Sequence, residues 1–156
     1  MTLVESGPFA IAAFSWDGGS APVVRLDPVL PEIGVSLIAP VADGDTTPNL
    51  EDGTDFGITA SGVSHSRFVT IESTGAADLE DVALRVTGAD AAAFSFADSS
   101  QGTVGVDGVV DIGTLPMGST ARVERTFDTG RPTATATLEV WSNDTDEGFY
   151  EIAIAA

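Results

Sequence analysis

The chain has 156 residues, no cysteine and a net charge of −18, and all six of its basic residues are arginine. The length suits one domain, or one domain with an arm, and the lack of cysteine excludes a disulfide scaffold and any thiolate metal site. A surface this acidic repels phosphate and anionic lipid, which excludes nucleic acid and the membrane surface as partners.

The Asp-rich, lysine-free composition fits a high-salt proteome and equally a plain acidic bacterial protein. The first nine residues, MTLVESGPF, carry Glu5 and no Lys or Arg ahead of the apolar stretch FAIAAF. They do not form a secretory signal peptide, and the stretch is too short to span a bilayer.

Apolar residues alternate with period two in short runs separated by Gly, Asp, Asn, Ser and Pro. That pattern predicts strands over residues 9–15, 23–26, 33–38, 67–73, 82–86, 94–96, 109–112, 121–127, 133–141 and 150–155. Pro22, Pro28 and Pro31 place a boundary near Leu30, with an arm at 1–30 and a domain at 31–156. Turns are predicted at Ser73-Thr-Gly-Ala76, Leu115-Pro-Met-Gly118 and Thr129-Gly-Arg-Pro132. One short helix, or a single turn of one, is expected at Gly88-Ala-Asp-Ala-Ala-Ala93. The alternating sets Val82, Leu84, Val86 and Ala136, Leu138, Val140, with Ile152 and Ile154, each pave half of a core. Many short strands at this spacing predict an all-β fold, an antiparallel β-sandwich.

Five groups of residues occur in an order that resembles the choice-of-anchor D repeats, relatives of the ASH or Hydin-like domains. They are Pro31-Glu-Ile33; Asp43-Gly-Asp45 with Thr47-Pro48 and Asp52-Gly-Thr-Asp-Phe-Gly57; Val69-Thr-Ile71 with Ser73-Thr-Gly75 and Ala77-Asp-Leu79; Gly88-Ala-Asp-Ala91 with Phe94; and Trp141-Ser-Asn-Asp144 with Asp146-Glu147. Ser73 stands where an Asn is usual and Thr145 where a Pro is usual. The chain ends at Ala156 without the trailing Gly-Thr-Gly, as a terminal or lone copy would. The resemblance implies an immunoglobulin-like sandwich of about seven strands. It implies extracellular, surface-anchored or assembly-forming proteins, and no shared chemistry.

Two acidic loops are the candidate metal ligands: Asp43, Asp45, Asp52 and Asp55 in one, and Asp144 and Asp146 in the other, with Glu147 alongside. Hard cations such as Ca²⁺ take six to eight oxygens, so a shared calcium site is one reading. The other is that Asp and Asn cap their own turns; the spacing matches neither the EF-hand nor the nonapeptide calcium repeat. Calcium is the one cofactor considered. His65, the single histidine, sits in a Ser-His-Ser turn with no motif partner. There is no Gly-x-Ser-x-Gly elbow, and the glycines of Gly102-Thr-Val-Gly105 are not followed by the Lys of a phosphate loop. No enzyme is expected.

Trp16, Trp141, Phe149 and Tyr150 could form a sugar-binding face or pack in the core and across strands. In the arm, Phe9, Ile11, Phe14 and Trp16 are candidate partner-binding residues. The arm could add strands to the sandwich edge or pair with a neighbour by strand addition. The expected function is a structural or decorating subunit of a larger extracellular or virion assembly, with protein partners and self-association. The alternative is an adhesive or carbohydrate-binding module of a microbial cell-surface protein.

Overall fold

The computed structural model describes residues 28–57, 63–97, 101–127 and 133–156. The expected strands at 9–15 and 23–26, the turn at 129–132, and Phe9, Ile11, Phe14 and Trp16 lie outside the described residues.

The chain forms an immunoglobulin-like antiparallel β-sandwich. Among the described residues nine strands follow one another: β1 (Ile33–Ser36), β2 (His65–Ser73), β3 (Leu79–Thr87), β4 (Phe94–Phe96), β5 (Thr103–Val104), β6 (Val110–Leu115), β7 (Thr120–Phe127), β8 (Thr135–Trp141) and β9 (Phe149–Ala155). One sheet has the order β1-β2-β7-β4 and the other β5-β6-β3-β8-β9. The Ala-rich segment before β4 makes a single 3-10 turn, Ala91–Ala93. It stays one turn because Phe94 is already extended and pairs with Phe127.

Alternation decides what faces inward. Val69, Ile71, Val123 and Phe127 from one sheet meet Leu84, Leu138, Val140, Ile152 and Ile154 from the other, all fully buried. Each such side chain contributes about 1.5–3 kcal/mol relative to exposure. At one end of the core, Phe56, Phe94 and Phe127 cluster with ring centroids 5.3–6.1 Å apart.

β3 starts three residues earlier than period two predicts. Its register to β6 shifts between Leu79 and Val82 and again before Ala83, and Asp81 has φ 54°. This bulge re-phases the strand, so Leu79 and Val82 are both buried despite their odd spacing. The hairpin β5–β6 was not expected. Its first strand has only two residues and is held by Gly105 N donating to Val109 O at 2.7 Å.

Strand β9 is an edge, but segment 43–56 lies along it. Gly44 N donates to Glu151 O, Ala153 N to Asp45 O, Phe56 N to Ala155 O, and Ala155 N to Thr54 O, at 2.7–3.0 Å. An edge covered in this way cannot template another strand. Gly75 lets the chain entering β1 pass closely: a Cβ there would sit 2.5 Å from both Glu32 N and Leu30 O. Thr74 N and Ala76 N donate to Glu32 O and Leu30 O across that crossing.

Candidate functional site

The β8–β9 hairpin turn is the first candidate. Asp144 is buried, and both oxygens of its carboxylate accept backbone donors. Oδ2 accepts Ile33 N at 2.8 Å, and Oδ1 accepts Asp146 N at 3.2 Å and Glu147 N at 3.4 Å. Burial pushes its pKa up, and these three donors more than offset that, holding it below the usual aspartate value. Asn143 ties the same turn to β3, with its Oδ1 accepting Glu80 N at 2.9 Å and its own N donating to Glu80 O at 3.1 Å. The turn thus fastens both sheets.

Glu32, Asp144 and Asp146 are the one set of acidic ligand atoms, among the described residues, that lie within 4.8 Å of one another. One oxygen from each supplies three of the six to eight that Ca²⁺ takes, and both oxygens of Asp144 already accept backbone donors. Glu147 faces this cluster. Burial, then Glu32, Asp144, Asp43 and Asp146, push its pKa up.

The other acidic residues cap their own surroundings. Asp43 Oδ1 accepts Glu151 N at 2.8 Å, Asp45 Oδ1 accepts Thr47 N at 2.8 Å, and Asp55 Oδ1 accepts Gly57 N at 2.7 Å. Asp52 Oδ1 accepts both Thr54 N at 2.8 Å and Thr54 Oγ1 at 2.7 Å, and its Oδ2 accepts from Asn49 Nδ2. Burial acts to raise the Asp52 pKa, but these bonds lower it on balance. Asp52 and Asp55 lie beside Arg67, whose charge they favour.

The aromatic candidates separate. Tyr150 is buried and donates its hydroxyl to Val41 O, so it belongs to the core. Burial, then the charges of Glu147 and Asp43, raise its pKa to about 12. Trp141 and Phe149 are register partners on the outer face of the five-stranded sheet, with ring centroids 5.7 Å apart. Arg85 lies over the Trp141 ring at 4.9 Å and pairs with Glu139, Nε to Oε2 at 2.8 Å. Thr87 Oγ1 donates to Glu139 Oε1 at 2.6 Å. The result is a partly exposed aromatic shelf with a rigid polar row beside it. His65 is exposed at the start of β2.

The sequence reading did not single out Arg67 and Arg125. They face each other across β2 and β7. Alternation with Val69 and Ile71, and with Val123 and Phe127, puts both on the core side. That parity is the signal that would have identified them. Arg125 is fully buried and Arg67 partly so.

No protein-family model matches the chain, and no curated protein matches it in sequence. Solved structures do match in shape. A protein of unknown function from Porphyromonas gingivalis W83 aligns with TM-score 0.48 and 15% identity, covering 65% of this chain and 42% of its own. The ASH/PapD-like domain 7 of human CEP192 aligns with TM-score 0.43 and 12% identity, covering 92% of this chain and 94% of its own. A family 123 glycoside hydrolase from Clostridium perfringens aligns with TM-score 0.45 and 12% identity, covering 80% of this chain and only 27% of its own. Among the described residues, no helix is long and apolar enough to cross a membrane.

Proposed function

We propose that this chain is a non-enzymatic interaction module of the choice-of-anchor D type, a surface or decorating subunit of a larger extracellular or virion assembly. Its contact face is the outer side of the five-stranded sheet, around Trp141, Phe149 and Arg85. The observation that supports this reading is the composition of that shelf. Trp and Arg are the residues that dominate binding energy at protein contacts, and here they are stacked on a rigid sheet. Phe149 is 44% exposed beside them. Because Arg85 already covers the Trp141 ring, a sugar would have to displace it to stack there. A protein contact can instead use both groups as they stand.

Two facing copies carrying −18 each repel strongly. Molar salt cuts the screening length to about 3 Å, so self-association should strengthen with salt. Light scattering on the full chain across NaCl concentrations tests this, with the double variant Trp141→Ser, Phe149→Ser as control. Salt-promoted association that the variant loses supports the reading. A wild-type chain that stays monomeric in molar salt, yet binds a glycan array through Trp141, replaces it with the carbohydrate-binding alternative. A monomer with no glycan binding rejects both.

A further inference from the structure

Arg125 is fully buried, yet two of its nitrogens, Nε and Nη1, have no hydrogen-bond partner among the described residues. Its remaining donor, Nη2, reaches Gly53 O only at 3.5 Å. Its guanidinium carbon lies 4.7 Å from the Phe56 ring centroid and 5.9 Å from that of Phe94. Directly across the strands, Arg67 sits 4.8 Å from the same Phe56 ring and donates Nη1 to Gly53 O at 2.9 Å and to Asp55 O. Both cations therefore rest on backbone carbonyls and aromatic rings. The nearby carboxylates of Asp52 and Asp55 are turned onto Thr54, Asn49 and Gly57.

Cation–π contact with the rings is weaker than the cost of burying an unpaired ion. Neutralisation is no escape. Burial, then the like charge of Arg67, lower the Arg125 pKa only to about 9, so it remains cationic at neutral pH. Gly53 has φ 88°, and a Cβ there would lie 2.8 Å from Ile38, so the carbonyl that both arginines share is fixed in place. Asp55 and Asp52 act on the charge of Arg67, but among the described residues the Nε and Nη1 of Arg125 meet no anion.

We propose that Arg125 and Arg67 form a binding site for a small monovalent anion, a halide or the carboxylate of a small organic acid, held between the two guanidiniums. Partly exposed Arg67 is its entrance. The chain's overall charge opposes anions at long range, so the site acts through the short-range unpaired donors of Arg125. Arg is suited to the task because its planar donors match a carboxylate.

The test is the melting temperature of the full chain at one fixed sodium concentration, with chloride or formate replacing gluconate, which is too bulky to enter. The expected result is a saturable rise, about 5–11 °C at a hundredfold excess over the dissociation constant. A larger response to formate than to chloride identifies a carboxylate site, and the reverse a halide site. Arg67→Met and Arg125→Met should each lose the rise. In gluconate, Arg125→Met should be at least as stable as wild type, since an apolar replacement removes the buried ion. Chloride-35 line broadening by the wild-type chain, absent with Arg67→Met, gives a second readout if Arg125→Met fails to fold. The proposal is overturned if wild type responds equally to all three anions, or if both variants keep the full response. It is also overturned if Arg125→Met is destabilised alike in every salt, because the guanidinium is then paired within the protein.

Discussion

Replacing Asp144 with Ala tests the claim that one buried carboxylate joins the two sheets. The variant loses the short bond from Ile33 N and the two longer ones from Asp146 N and Glu147 N. A bond to a charged acceptor contributes about 1.5–3 kcal/mol, and leaving the Ile33 donor buried and unmet costs within the same range. The two long bonds add about 1 kcal/mol together. Against this, the variant removes one charge from a crowded acidic cluster with Glu32, Asp146 and Glu147. That relief, against neighbours that are themselves largely in solvent, is worth about 0.5–1 kcal/mol. The net expectation is a loss of about 2–3 kcal/mol, or a melting point lower by roughly 4–12 °C. Asp144→Asn should fall between, because an amide oxygen can still serve one side while its NH₂ repels the donor on the other. Urea unfolding followed by circular dichroism measures both, and an unchanged slope would show that only stability moved. If Asp144→Ala stays within about 0.5 kcal/mol of wild type, acidic repulsion cancels the cap, and the turn is not what fastens β1.

Stability should pass through a maximum in mildly acid solution. The Glu147 pKa is raised in the folded chain, so its contribution is fully present below its ordinary value of 4.5 and is lost as pH rises through the folded value. The Asp144 and Asp52 pKa values are depressed, so their contributions are present above 3.8 and are lost as pH falls through the folded values. Melting temperature should therefore rise as pH drops from 7 toward about 4.5 and fall once it passes below 3.8; a monotonic decline across that range contradicts the assignment of Glu147. Tyr150 is the one tyrosine, so absorbance at 295 nm reports it alone. The folded chain should not ionise it until about pH 12, and stability should decline from about pH 10 upward as the unfolded state ionises first. A titration centred near 10 without unfolding would place the phenol in solvent. Phe127→Ala, at the centre of the three-ring cluster, should cost about 3–5 kcal/mol in urea unfolding. A cost under 1 kcal/mol would mean the rings do not support one another.

Strand existence was readable wherever burial alternates cleanly. β4 matches its expected bounds, and β2, β7, β8 and β9 match theirs to within one or two residues. Periodicity failed where the backbone breaks its own phase. The bulge at Asp81 hid the start of β3, because Leu79 and Val82 are three apart and only a left-handed residue between them brings both inward. β5 was invisible because two residues hold no period. The chain-order motifs around Ser142-Asn-Asp144 located the turn, but could not say that Asp144 reaches 111 residues back to Ile33. A contact of that range depends on which strands become neighbours, and alternation carries no information on sheet order.

The site was less legible than the fold for a related reason. Trp141 and Tyr150 look alike in sequence as aromatics near one turn. Their parity separates them, since an odd number of positions along the hairpin sends one outward and the other into the core. The same parity applies to Arg125. Read as composition, an arginine in a chain of −18 is a surface counter-charge. Read as the third inward position of Ala121, Val123, Arg125 and Phe127, it is a buried cation. With 24 acidic residues in the chain, a carboxylate partner would be easy to supply. Asp52 and Asp55 act on Arg67 and are held by hydrogen bonds to their own loop. The loop thus offers Arg125 a carbonyl, Gly53 O, in place of a carboxylate, and this is the physical reason to look for an external anion.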